Sequence, residues 1–142
     1  MLATETMDEQ QALALQDIAA ERAPRPLMGP VLSFNLPLEI SALRGEPAYQ
    51  HGHNARTLIK HSEFRLVLVV LRGGAEVHQQ SSAERIALQP LVGHVRLQLT
   101  DKVVNLHADQ LLSLDRDITY RIVAVEDSAM LLWVGWSNDG TT

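Results

Sequence analysis

Residues 64–93 read FRLVLVVLRGGAEVHQQSSAERIALQPLVG, and no other stretch limits the fold of this chain as strongly. A strongly apolar strand runs into a Gly-Gly break. A short polar segment carrying His78 follows, and a second strand ends at Gly93. Two hydrophobic strands joined by a polar loop that sets one imidazole between them predict the wall and lip of a small antiparallel barrel.

From residue 56 onward the pattern stays β. Strands are expected over 57–60, 64–72, 85–91, 94–100, 102–106, 110–114, 119–125 and 129–136. The separators carry turn chemistry, including Gly73-Gly74, Thr100-Asp101, Ala108-Asp109 and Glu126-Asp127-Ser128. Short strands at this spacing with no helix between them exclude a parallel sheet and call for an antiparallel sandwich or barrel.

The N-terminal part differs. Thr6 and Glu9 have capping-box spacing, and Met7, Leu15, Ile18 and Ala19 fall near one helical face, so residues 1–22 are expected as a helix. Its thin apolar stripe suits either an arm packed on the barrel or on a second subunit, or a frayed end. Prolines at 24, 26 and 30 make 23–30 an extended linker. A strand is expected over 31–36, a helical turn over 37–45 and a polar loop over 46–54. The expected division is an arm and linker over 1–30 and a β-barrel domain over 31–142.

Bulk properties narrow the function classes. A chain of 142 residues makes one domain and buries roughly 70% of its unfolded surface. At 4% aromatic content, the core must be aliphatic. The chain has no cysteine, hence no disulfide or thiolate metal site, which suits a cytoplasmic protein. A net charge of −5 without a Lys/Arg cluster argues against nucleic acid as a partner. The longest apolar strings, 66–71 and 129–134, fall far short of the roughly 20 residues that span a bilayer, and the acidic N-terminus is unlike a signal peptide.

Over residues 32–136 the chain resembles the single-domain cupins. The resemblance rests on NARTLIKH at 54–61, LRGGA at 71–75, QPLVG at 89–93 and LHADQLLSL at 106–114. It implies an all-β, double-stranded antiparallel β-helix, the jelly-roll barrel. Metal-binding cupins place an H-x-H pair after the glycine, a carboxylate on the next strand and a third histidine in a second motif. Alternate residues of a barrel wall point inward, so such positions converge on one cation. The corresponding positions here are His78-Gln79-Gln80, Ile86 and Tyr120, which implies that the metal set is dismantled and that no metal or other cofactor is bound. In the second motif Asp109 stands in for a turn glycine; aspartate tolerates the left-handed backbone better than most residues.

The expectation is therefore a barrel pocket lined by His78, Gln80, Ile86 and Tyr120 that binds an unknown small molecule without a metal. The alternative is a metal-dependent oxygenase or an isomerase/epimerase, in which His78 and Tyr120 act as base and acid across the barrel. Exposed strand edges and the apolar arm suggest a homodimer. His51-Gly-His53 is read as a solvated loop, and His61, His94 and His107 as surface residues beside turns. Strict alternation from Ile86 turns Gln89 away from the pocket. Trp133 and Trp136 are expected in the core or an interface, and Arg65, Arg72, Arg96 and Arg121 as solvated edge charges.

Overall fold

The computed structural model describes residues 22–79 and 84–135. The expected N-terminal helix, Gln80 and Trp136 lie outside them. All eight expected strands are present with shifted ends: β1 (His53–Lys60), β2 (Phe64–Leu71), β4 (Arg85–Val92), β5 (His94–Gln98), β6 (Val103–His107), β7 (Leu112–Leu114), β8 (Tyr120–Ala124) and β9 (Ser128–Gly135). The segment read as a polar loop supplies another, β3 (Glu76–Gln79). Its one apolar residue, Val77, is buried between exposed Glu76 and His78, an alternation too short to stand out in sequence.

Upstream, residues 31–35 form no strand, contrary to expectation. Asn35 instead caps α1 (Leu36–Arg44) by accepting from the Leu38 N–H at 3.2 Å, and Pro37 sits in the first turn, where its missing N–H costs nothing. The expected loop over 46–54 contains a 3-10 helix (Pro47–His51) and the first two residues of β1.

The strands form two antiparallel sheets. Sheet A has the order β1-β2-β9-β4-β7 and sheet B the order β3-β8-β5-β6. One set of β2 side chains, Val67, Val69 and Leu71, joins Leu88, Val95, Leu97, Ile122, Met130 and Leu132 in the core between the sheets. The other set, Leu66, Leu68 and Val70, joins Leu58, Ala129 and Leu131 beneath Leu43 of α1 and Tyr49 of the 3-10 helix. The central strands are thus buried on both faces, which explains their unbroken apolar runs. Each fully buried Leu or Val contributes about 1.5–3 kcal/mol.

A polar knot fastens the cover. Arg22, 8% exposed, donates to both Glu46 carboxylate oxygens at 2.8–3.1 Å, to Asn54 Oδ1 at 3.2 Å and to the Ala55 carbonyl at 3.0 Å. Buried Asn54 donates to Glu46 at 2.8 Å and to the last-turn carbonyl of Leu43 at 3.0 Å. Arg25 adds a bidentate pair with Glu39 of α1. Lys60 N–H donates to the Leu27 carbonyl, so the linker runs beside the outer edge of β1.

Two expected outcomes follow from these contacts. Gly93 has φ +93°, and a Cβ there would lie 2.5 Å from the Asp127 carbonyl and closer still to Ser128 Oγ. Gly93→Ala is expected to destabilise the protein by at least about 2 kcal/mol, read as a lower denaturant midpoint. The Arg22 hydrogen bonds hold the Glu46 carboxyl below its ordinary value, against the opposing effect of burial. Stability from this group is present above its unfolded pKa and is lost as pH falls through the lower folded value. Between pH values near 6 and 3, the wild type should lose more stability than Glu46→Gln in parallel urea titrations.

Candidate functional site

At the end of the barrel where β2, β4 and β8 begin, the large polar side chains of Arg65 and Tyr120 meet the interior. Val67, Val69 and Leu71 face inward, so Arg65, two residues earlier on β2, shares their face. Arg65 lies opposite Val134, which lies opposite Ile86, which lies opposite Leu114, giving one inward row across β2, β9, β4 and β7. From sheet B, Tyr120 enters the same core at 6% exposure.

Of the residues expected to line a pocket, Ile86 and Tyr120 face inward and His78 does not. On β3 the buried residue is Val77. His78 points to the opposite face, with its side chain 63% exposed and Nε2 3.7 Å from Glu76. The pairing register places His78 opposite Arg121, and position 79, not 78, opposite Tyr120. The expected His78–Tyr120 base and acid therefore project from opposite sides of sheet B and do not meet. A difference of one residue along β3 is enough to separate them, because successive strand residues alternate faces.

This arrangement does not fit a divalent cation. With Val77 as the inward residue of β3, the four positions that would converge on it are occupied by Val77, Gln79, Ile86 and Tyr120: two hydrocarbons, a carboxamide and a phenol. The Tyr120 phenol is pushed well above its ordinary value by burial and, secondarily, by Glu84, and so stays neutral. Among the described residues no group of three His, Asp or Glu side chains is placed to hold a metal.

Beyond Tyr120 the barrel end opens into a cleft of about 450 Å³ between the β5–β6 turn and the β7–β8 loop. Leu99, Leu114 and Ile118 supply its apolar walls, and Thr100, Asp101, Lys102, Ser113 and Asp115 its polar ones. Leu114 belongs to the core as well, so the cleft floor is the barrel's own packing. At the rim Asp115 accepts from Arg85 at 2.8 Å and from the Arg116 N–H at 2.7 Å. The latter bond, then Arg85, holds its carboxyl below the usual range. Asp117 takes up φ 62° in the same loop, and Asp109 takes φ 72°, the left-handed turn expected of it.

The cleft residues were not legible as a site. Leu99 and Ile118 come from separate turns, and only the curl of the sheets makes them neighbours. Arg65 also departs from its reading as an edge charge: it is on an interior strand, and burial pulls its guanidinium below the ordinary value while Glu84 opposes the shift. Arg96 and Arg121 likewise stand on the two interior strands of sheet B. His51 is exposed, while His53 opens β1 and is half-buried. His61 stacks on Phe64 with centroids 5.2 Å apart. Trp133 is 38% exposed on the outer face of sheet A, and Gln89 faces away from the barrel core, as alternation required.

No protein-family model and no curated protein matches the sequence. Solved structures match the fold. A cupin superfamily protein from Desulfitobacterium hafniense has a TM-score of 0.57 at 14% identity, over 60% of this chain and 78% of that one. A conserved protein of unknown function from Streptococcus pyogenes has a TM-score of 0.64 at 19% identity, over 84% and 99%. A salicylate 1,2-dioxygenase variant from Pseudoaminobacter salicylatoxidans has a TM-score of 0.68 at 12% identity, over 79% of this chain but 37% of that longer one.

The state of Tyr120 is directly testable, since the chain has two tyrosines. In Tyr49→Phe, where Tyr120 is the one phenol left, phenolate absorbance should fail to develop around the ordinary value of 10 and should rise only with unfolding.

Proposed function

We propose that this chain, which has the cupin jelly-roll fold, binds a small, partly apolar molecule at the open end of its barrel without a bound metal ion. The observation that carries this reading is the cleft of about 450 Å³, within the range of about 300–1,000 Å³ usual for small-molecule sites. Leu99, Leu114 and Ile118 would desolvate the body of the ligand. Lys102, Thr100 and Ser113 would orient a carboxylate or hydroxyl group. Val77, Ile86 and neutral Tyr120 at the inward positions support the metal-independent part of the reading.

The metal-dependent alternative draws support from the dioxygenase among the structural neighbours. It would need His78 inside the barrel, whereas that side chain is exposed on the outer face.

The test is an amide-resolved NMR titration with a panel of small hydroxy and carboxylic acids, salicylate among them, run without and with excess chelator. Saturable shifts are expected at Leu99, Lys102 and Ile118, weakened at least about tenfold by Ile118→Asp, which sets an unpaired carboxylate in the apolar wall. Binding that disappears in chelator and returns with iron, manganese or zinc would overturn the metal-free reading. Shifts confined to other parts of the surface would overturn the site.

A further inference from the structure

The charge of this chain is unevenly placed. Residues 1–21 contain Glu5, Asp8, Glu9, Asp17 and Glu21 and no Lys or Arg. The rest of the chain holds as many basic as acidic side chains, so the whole net charge of −5 belongs to that segment. Its apolar residues Met7, Leu15, Ile18 and Ala19 recur at the spacing of one helical face.

The outer face of sheet B is complementary to it. Register sets His78, Arg121, Gln98 and Val103 in one row across β3, β8, β5 and β6, and Glu76, Val123, Arg96 and Asn105 in the next. His94 and His107 stack beyond them with ring centroids 4.1 Å apart. Glu76 is the only carboxylate among these residues, and it contacts Arg121 at 3.3 Å. Arg96 donates to the neutral amide oxygen of Asn105 at 3.3 Å. The two rows therefore carry two arginines to one carboxylate, interleaved with apolar surface: Val103 is 52% exposed, and Val125, just past β8 and followed by exposed Glu126 and Asp127, is 44% exposed.

We propose that residues 1–21 lie across this face of their own chain, with carboxylates over Arg96 and Arg121 and the apolar stripe on Val103, Val123 and Val125. The geometry permits it. The described chain starts at Arg22, pinned to Asn54 and Ala55. Gly52, at the start of that strand, lies against Ala75, the residue before β3. The chain thus departs beside the β3 edge of sheet B. Sheet B is about 15 Å wide across its four strands, and 21 residues span about 32 Å as a helix. The exposed apolar surface around Trp133 on sheet A is a poorer match, since its neighbouring base Arg85 already pairs with Asp115, whereas on sheet B Arg96 donates to a neutral amide. A second copy of the sheet B face would meet it with like charge.

With no native cysteine, Ala3→Cys takes a single spin label in the otherwise intact chain. Paramagnetic broadening is expected at the amides of Arg96, Gln98, Asn105 and His107. It should be lost in Arg96→Glu/Arg121→Glu, and also in the wild type at about 1 M salt, where the screening length is about 3 Å. The salt arm keeps the test valid if the double variant does not fold. Broadening centred on Trp133, broadening that salt leaves unchanged, or no broadening would overturn the proposal. So would equal broadening in unlabelled isotope-enriched protein mixed with labelled copies, which would place the segment on a second molecule.

Discussion

Burial of β2 and β9 on both faces is the constraint on which the rest of this structure depends. A jelly-roll sheet normally needs one apolar face, toward its partner sheet. Here Leu68, Val70 and Ala129 are as inaccessible as Val67, Val69 and Met130 on the opposite side. The outer set cannot be left in water, so residues 22–51 must fold back over it. Hydrophobic transfer supplies the attraction, but it is non-directional. Direction comes from the Arg22–Glu46–Asn54 knot, which joins the linker, the end of α1, the start of the 3-10 helix and β1 at one point. Arg22 is nearly buried and Glu46 partly so, and both are hydrogen-bonded, so removing the carboxylate would strand the guanidinium.

The same packing bears on why the proposed site lies at the barrel's end. Among the described residues, seventeen buried side chains fill the space between the sheets, most of them Leu, Val and Ile. What remains is the layer where the strands begin, at Arg65, Ile86, Leu114 and Tyr120, and the cleft above it. Polar groups can be tolerated there because water reaches the rim.

The two faces of sheet B separate two kinds of chemistry. Its inner face is Val77, Val95, Leu97, Tyr120 and Ile122; its outer face is His78, Arg96, Arg121 and the His94–His107 stack. His78 shows how much turns on a single position. An imidazole next to a glycine break invites placement in the pocket, yet its neighbour Val77 has the stronger claim on the core, because burying an uncompensated polar ring costs free energy that burying valine returns.

Sequence alone determined the class of the fold. Apolar runs at 66–71 and 129–134, turn chemistry between short strands and the absence of helices after residue 56 left an antiparallel double sheet as the consistent solution, and strict alternation was enough to turn Gln89 outward. It could not determine which face of β3 looks inward, that residues 31–35 feed a helix cap instead of a strand, or that Leu99 and Ile118 share a cleft. Those were decided by tertiary structure, for one physical reason. A strand's period of two leaves two equivalent phases, and a turn's composition leaves its spatial neighbours unspecified. Only the competition among all side chains for one shared core selects the phase and brings distant turns together.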